Sequence, residues 1–362
     1  MYSVSLMHGN PKTAIRPAGW HYGRRVYWIE GLPLIGHIAF GVIDRGTNVL
    51  QVRPSTLCFH NCIFCSVDAG PSSRRRRSEY TVEWEQLVVW VEKVARVKGG
   101  GLEALIDGVG EPLTHPHITR IIKALKGLDA IERVALETHG GSLSKSLARA
   151  LEKAGLDRIN LSVDAADPRL ARSLVGVDWY GVDRVLKTAE WIIANTSIDV
   201  VLTPVVLPGV NEKEMATLVH WARRVGAGRK SGWPTGVLIQ KFEIHKYGRK
   251  PSTVKSVWGW RRFYTWLARL EKETGYRLLV DPGEIGFKPR PRVEKPFERG
   301  DRVTLVLVGP GWHKGELLAV DRGWRRVVAL YGLTEGEALT PGAEVEARIV
   351  RDKDNIFIAV PY

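Results

Sequence analysis

The sequence predicts an α/β domain built on a parallel sheet, followed by a small all-β barrel. Three observations carry that expectation. From about residue 49, short apolar segments alternate with helically spaced ones about six times. The alternation stops after residue 280, in a run holding Pro282, Pro289, Pro291 and Pro296. Beyond it lie short strand-like segments separated by glycine turns. Apolar strands that alternate with helices imply a parallel sheet covered by helices. Periodicity alone leaves an open doubly wound sheet and a barrel-like closure both open.

Residues 1–48 read as an N-terminal extension with Trp20, Trp28 and a hairpin over 36–50 that turns near Arg45 and Gly46. The first residues lack a basic segment followed by an apolar stretch, so no secretory signal is expected. Strands are expected at 49–53, 102–107, 133–137, 158–163, 199–206, 237–242 and 277–280. The first expected helix, 81–97, opens on Thr81 and puts Trp84, Leu87, Val88 and Val91 on one face. Others are expected at 115–126, 142–154 (with Gly155 as its C-cap), 180–194, 212–225 and 253–273. The proline-rich residues 281–296 read as a linker. Within 297–362, segments 303–308, 315–320, 325–330, 344–350 and 356–360 read as the five strands of a barrel.

Composition narrows the function classes. Of 362 residues, 25% are charged and 44% hydrophobic, which argues against long disorder. The net charge of +14, from 53 Lys and Arg against 39 Asp and Glu, points to a polyanionic partner, either nucleic acid or an acidic membrane surface. No apolar run approaches the roughly 20 residues of a membrane span. Three cysteines are too few for a disulfide framework in a chain this long. A reducing cytoplasm is the expected compartment. Scarce glutamine (Gln51, Gln86, Gln240) and plentiful arginine hint at a thermophile.

All three cysteines fall within Cys58-Phe-His-Asn-Cys62-Ile-Phe-Cys65, directly after an expected strand. Three thiolates so close can wrap one metal centre. A cubane iron–sulfur cluster normally has a thiolate on each of its four irons, so three ligands leave one iron open. The alternatives are a Cys3His zinc site using His60 or a distant histidine, and inert buried cysteines. Zinc sites generally come as two separated ligand pairs, unlike this compact triplet.

The C-x3-C-x2-C loop resembles the radical SAM superfamily over about residues 49–280, and Phe64 matches that family's aromatic residue before the third cysteine. The resemblance implies a partial (βα)6 TIM-like barrel. It implies a [4Fe–4S] cluster on Cys58, Cys62 and Cys65, with S-adenosylmethionine (SAM) chelating the open iron. An electron from the cluster then cleaves the sulfonium, giving methionine and a 5′-deoxyadenosyl radical that abstracts hydrogen. The resemblance also implies a low-potential electron donor such as a ferredoxin or flavodoxin. Other segments follow in family order. Gly110-Glu111-Pro112 is similar to the motif that contacts the methionyl amino group; glycine lets the backbone approach, and Glu111 could pair with an ammonium. Thr138 ends the third strand. Ser162 and Asp164 end the fourth, with Asp164 read either as a ribose hydroxyl acceptor or as a helix N-cap. Val205, after the fifth strand, lies where family members bring backbone to the adenine. These positions are C-terminal strand ends, where parallel α/β folds gather ligands. Residues 49–280 are then the catalytic domain.

In that family, enzymes that insert sulfur generally need a second cluster with its own cysteines, and those that pass a methyl group through a cysteine pair need further ones, so with all three cysteines on one cluster the resemblance implies neither route here. Residues 297–362 resemble a TRAM domain, an OB-like barrel of RNA-modifying enzymes, on Gly300-Asp-Arg-Val, on residues 341–350 and on Asn355-Ile-Phe-Ile-Ala. A generic OB- or SH3-like barrel that only packs on the catalytic domain is the alternative. The barrel carries 9 basic against 10 acidic residues, so the positive excess lies elsewhere. It concentrates in residues 223–262, where 11 Lys and Arg face only Glu243. Lys241, Lys246, Tyr247, Arg249, Lys250, Arg261 and Arg262 are the candidates there, beside Trp233, Phe242, Trp258 and Trp260. Cations for phosphates and aromatics for unpaired bases suit RNA. Arg74, Arg75, Arg76 and Arg77 form a second run near the cysteine loop, read as a phosphate grip or as a solvated face. In the barrel, Trp312, His313, Lys314, Trp324, Arg325 and Arg326 are the expected RNA contacts.

The leading expectation is a radical SAM enzyme that modifies a base in tRNA or rRNA, by carbon methylation or related radical chemistry. The alternatives are a radical SAM enzyme for a peptide, lipid or small molecule, and a non-enzymatic RNA-binding zinc protein. Removal of 297–362 is expected to weaken RNA binding while sparing SAM cleavage.

Overall fold

The structure, a computed structural model, describes residues 9–333 and 340–362. Residues 1–8, which carry most of the segment read for a secretory signal, and 334–339, within the expected barrel, lie outside them.

The chain opens on a hairpin that the sequence reading did not anticipate, β1 (Ile15–His21) and β2 (Arg24–Ile29), turning at Tyr22 and Gly23. The second hairpin, β3 (Gly41–Asp44) and β4 (Val49–Arg53), turns where expected. Strand β5 (Ser78–Val82) pairs in parallel with β2. That corrects the first expected helix. Thr81 belongs to β5, opposite Trp28, and α1 (Trp84–Lys98) starts after Glu83, whose carboxylate accepts the N–H groups of Glu85 and Gln86. A long-range strand partner outweighed the local helical spacing.

Strands β4, β6 (Leu102–Ile106), β7 (Ile131–Thr138), β8 (Arg158–Leu161) and β9 (Asp199–Leu202) run parallel in that order, with β3 antiparallel on the edge. Helices α2 (Ile118–Lys126), α3 (Lys145–Lys153), α4 (Pro168–Val175), α5 (Val182–Asn195), α6 (Glu212–Val225) and α7 (Trp260–Thr274) cover them. Past β9 the sheet survives in fragments. β10 (Val205–Val206) pairs in parallel with β11 (Gln240–Lys241), and Leu202 bridges Val237. The strand expected at 277–280 does not form. The N–H groups of Leu278 and Leu279 donate to the Glu271 carboxylate, at 2.6 and 2.7 Å, and are lost to any ladder. The proline-rich run lies against the sheet edge: Val293 N–H donates to Asp44, whose other oxygen holds the buried Lys98 ammonium at 2.5 Å.

The C-terminal strands β12 (Arg302–Pro310), β13 (Glu316–Asp321), β14 (Val327–Tyr331), β15 (Glu344–Arg351) and β16 (Ile358–Pro361) close into a barrel. Alternation along the strands gives it two apolar faces. Leu305, Leu307, Ala319, Val328, Ile349 and Phe357 fill its interior. Val308, Leu318, Val320 and Val327, with Trp312 from the β12–β13 turn, join the core of the larger domain. Among the described residues no helix is long and apolar enough to cross a membrane.

Candidate active site

The loops after β4, β6, β7, β8 and β9 converge on one cavity of about 900 Å3. Cys58, Cys62 and Cys65 line it together with Phe64, Gly110, Glu111, Pro112, Thr138, Ser162, Asp164 and Val205. Every metal and SAM candidate read from the sequence is therefore on its wall.

The three thiols are free, with Cys58 and Cys62 buried and Cys65 half-buried. Burial pushes the Cys58 thiol well up, with Cys62, Glu111 and Cys65 adding to it. Burial also raises Cys62, helped by Cys65 and Asp164 and opposed by Arg249. Buried thiols that resist ionisation in the bare protein have most to gain from a cationic centre. Among the described residues no three His, Cys, Asp or Glu side chains converge on a single metal ion. The thiols instead line the wall of a larger space, a donor set that fits a cluster. The loop's backbone is fixed around them. His21 Nε2 donates to Cys58 O at 2.9 Å, and the N–H groups of Asn61 and Ile63 donate to Val175 and Leu174, each at 3.0 Å.

The neighbouring loops lock onto this one. A Cβ on Gly110 would lie 2.3 Å from Leu57 O and 2.4 Å from Thr56 O, so only glycine fits the contact. Glu111 is buried and accepts the N–H groups of Leu113 and His139, at 3.3 and 3.2 Å; burial raises its carboxyl. Asp164 accepts Val205 N–H at 2.8 Å through one oxygen, while the other is buried with no hydrogen-bond partner. That orphaned oxygen points to a ligand. The N-cap alternative for Asp164 falls, because Asp167 caps α4. Both backbone groups of Val205 are engaged, its N–H on Asp164 and its carbonyl accepting from Asn211 at 2.9 Å. Ser162 Oγ stands 3.4 Å from Thr203 Oγ1.

Two polar residues on this wall, His139 and Glu137, escaped the sequence reading, and a third, His60, entered it only as a candidate zinc ligand. His139 Nδ1 donates to Ser162 O at 3.0 Å, and its Nε2 is hydrogen-bonded with Cys62 Sγ at 3.6 Å. His60 is buried with neither ring nitrogen hydrogen-bonded, its Nδ1 standing 3.8 Å from Glu111 Oε2; burial and then His139 hold it down to about 2, so it is neutral. Glu137 faces the cavity, its carboxyl pushed up to about 7 by burial and then by the Asp107 carboxylate. The family-like segment Thr138-His139-Gly140 was the available signal for His139. Nothing local marks Glu137, whose environment is assembled by β6 and β7.

The opposite wall is aromatic and cationic. Trp260 and Tyr264, both more than half exposed, stack with ring centroids 5.8 Å apart on α7. Lys241 Nζ lies 4.7 Å above Trp260 and 3.0 Å from Glu243, and His245 and Phe263 complete this side. Lys246, Lys250, Arg261, Arg262, Arg74, Arg75 and Arg77 are exposed. Arg76 and Arg249 are placed otherwise: their guanidinium groups are spent on protein carbonyls and carboxylates beneath the cysteine loop. Tyr247 packs on His313, with ring centroids 4.3 Å apart. Of the barrel residues expected to touch RNA, Trp312 and His313 are buried, and Trp324 Nε1 donates to Gly31 O at 2.8 Å. These three are turned toward the rest of the chain, which corrects the expectation for them, whereas Lys314 and Arg325 are exposed.

The model of the radical SAM superfamily matches residues 52–222. An uncharacterized protein of Methanocaldococcus jannaschii is 34% identical over 356 residues, covering 93% of this chain and 80% of that one. A GTP 3′,8-cyclase of Heliobacterium modesticaldum is 33% identical over 249 residues, 68% of each chain. The chain spans about half the length of several other GTP 3′,8-cyclases that it matches. Among solved structures, Streptococcus suis SuiB bound to precursor peptide SuiA aligns with a TM-score of 0.49 at 18% identity, over 64% of this chain and 47% of that one.

Proposed function

The chain belongs to the radical SAM superfamily, which uses a [4Fe–4S] cluster and SAM, and on that premise we propose that it modifies a nucleobase of RNA. Cys58, Cys62 and Cys65 would hold the cluster. Glu111, Thr138, Ser162 and Asp164 would bind SAM, with the orphaned Asp164 oxygen accepting from a hydroxyl. When bound, the two cofactors supply reductive radical chemistry. The chain's own residues do the rest. The buried, neutral His60 would help keep water from the cluster side, and His139, 3.6 Å from Cys62 Sγ, would help orient Cys62. Glu137 can hold or release a proton near neutral pH at the cavity wall.

The observation that carries the RNA reading is the cavity's second wall. Trp260 and Tyr264 present ring faces to a flipped base, and Lys241 stands beside them. Lys246, Lys250, Arg261 and Arg262 are exposed in the same segments and would meet phosphates. A ferredoxin- or flavodoxin-type donor would supply the electron. In this reading residues 49–280 carry the chemistry, with the barrel at 297–362 attached to them.

A free purine nucleotide is the second reading, favoured by the likeness to a GTP 3′,8-cyclase. One experiment separates them. The reduced, reconstituted protein is incubated with SAM and either bulk tRNA and rRNA or GTP, and 5′-deoxyadenosine and altered nucleosides are measured by mass spectrometry. Turnover with RNA and a new nucleoside mass are expected. Turnover with GTP alone would replace the RNA reading by the nucleotide one.

A further inference from the structure

The resemblance of 297–362 to an RNA module suggests an appendage, but its contacts do not. The β12–β13 turn of the barrel, residues 311–316, is paired to the return leg of the cysteine loop. Arg77 N–H donates to Trp312 O at 2.8 Å, Lys314 N–H donates to Arg75 O at 3.0 Å, and Arg76 and His313 form an antiparallel bridge.

Arg76 converts that pairing into control of the site. Its side chain is wholly buried, and its guanidinium donates from Nε to Val67 O at 3.3 Å and from Nη1 to Thr56 O at 2.8 Å. Nη2 donates to Val109 O, and Nη1 also meets the Glu79 carboxylate at 3.0 Å. Thr56 and Val67 are the two ends of the cysteine loop, and Val109 belongs to the loop that carries Glu111. One planar group thus sets the spacing of all three, and the barrel's Trp312 ring lies 4.8 Å from it.

A second arm runs in parallel. His313 packs against Tyr247, the two rings tilted by 34°. Two residues on, Arg249 donates to Asp68 Oδ1 (2.7 Å), Asn61 Oδ1 (2.9 Å), Cys62 O (3.0 Å) and Ala69 O (2.6 Å), and its own N–H donates to Cys65 O (2.8 Å). Between them, a Cβ on Gly248 would come within 2.9 Å of Ser66 O, so the strap lies directly on the loop. The turn that carries both arms is held by the buried Glu316. It accepts the N–H groups of Trp312 and His313, the Tyr331 hydroxyl at 2.7 Å, and His37 Nε2 at 2.9 Å from across the interface.

We infer that the barrel is a working part of the cluster site: its turn, through Trp312 on Arg76 and His313 on Tyr247, positions the cysteine loop and the Glu111 loop. Arg76 and Arg249 are positioning residues, not RNA contacts. Removal of the barrel therefore disturbs the cysteine loop itself, and not only a separate RNA affinity.

The test uses the full chain, first without metal. Backbone hydrogen exchange is followed by mass spectrometry in wild type, Trp312→Ala, Trp312→Phe and Arg76→Lys, with Tyr362→Ala as a control elsewhere on the barrel. In Trp312→Ala, peptides spanning 56–70 and 108–111 should exchange on the order of tenfold faster, while β7 and β8 keep their protection. Trp312→Phe, which keeps a ring over the guanidinium, should restore most of it. After anaerobic reconstitution, the electron paramagnetic resonance signal of reduced Trp312→Ala should broaden and lose its response to added SAM. Unchanged exchange at 56–70 and 108–111, or equal acceleration throughout the chain, overturns the inference. Should Trp312→Ala not fold, Arg76→Lys reads the same contacts, because lysine cannot reach three carbonyls at once; wild-type exchange there overturns it too. The exchange readout involves neither cofactor nor substrate, so its outcome is independent of the RNA reading.

Discussion

Replacing Gly110 with alanine inserts a methyl group between the cysteine loop and the Glu111 loop, which line one wall of the cavity. The added Cβ would lie 2.3 Å from Leu57 O, 2.4 Å from Thr56 O and 2.6 Å from Thr56 C. These atoms cannot step aside singly. Leu57 O accepts Glu111 N–H at 2.7 Å, and Thr56 O accepts Arg76 Nη1 at 2.8 Å. An unstrained contact needs about 3.5 Å, so the loops must part by about 1 Å. Overpacking of this kind costs about 1–3 kcal/mol, a loss of a few degrees in thermal midpoint for a chain of this size. A misplacement of about 1 Å can cost on the order of a hundredfold in rate. Gly110→Ala should therefore remain folded, bind SAM more weakly, and form 5′-deoxyadenosine on the order of a hundredfold more slowly. Gly100→Ala, with open space around the new methyl, is the control. Scanning fluorimetry, SAM titration and timed product analysis measure all three effects. A Gly110→Ala protein with wild-type SAM affinity and cleavage would refute the reasoning.

Cys58→Ala, Cys62→Ala and Cys65→Ala should each lose iron on anaerobic reconstitution and form no 5′-deoxyadenosine; retained cleavage would contradict the ligand assignment. Arg249→Met leaves Asp68 with the N–H groups of Arg74 and Arg75 but removes its buried counter-charge, and should cost about 3 kcal/mol in urea unfolding. Glu137 titrates at about 7 in the folded chain against an ordinary 4.5, so the folded state holds its proton more tightly. Its contribution is fully present below about pH 4.5 and is lost as pH rises through 7; urea titrations of Glu137→Gln should show a flatter dependence in that window. Trp260→Ala should raise the half-saturating RNA concentration about tenfold or more, as loss of one stacked base predicts.

The parallel sheet was legible because its strands are short, apolar and capped by helices of clear period. β4 falls where apolar patterning puts it, and so do α6 and most of the barrel strands. Errors arose where distant residues decide. Residues 277–280 look like a strand until Glu271 takes their N–H groups, and Thr81 looks helical until β2 pairs with it. α4 was missed although Asp167 followed by Pro168 is a readable cap. That the candidate residues share one cavity wall was readable from motifs, since each follows a strand end. The cationic residues were not readable singly. Arg76 lies between the exposed Arg75 and Arg77, and nothing in a run of four arginines says which one turns inward. That depends on Trp312, which the chain supplies only from the barrel.

This dependence has a consequence for synthesis. His37 and its partner Glu316 are separated by 279 residues. At usual elongation rates, roughly 15–55 s pass between their emergence from the ribosome. During that interval the sheet can assemble and present its three thiols, but Arg76 has no ring beneath it and Arg249 no anchored neighbour. A nascent or truncated chain therefore exposes cysteines that it cannot yet hold in place. If the barrel positions the cysteine loop as inferred above, metal loading waits until the barrel strands have been made.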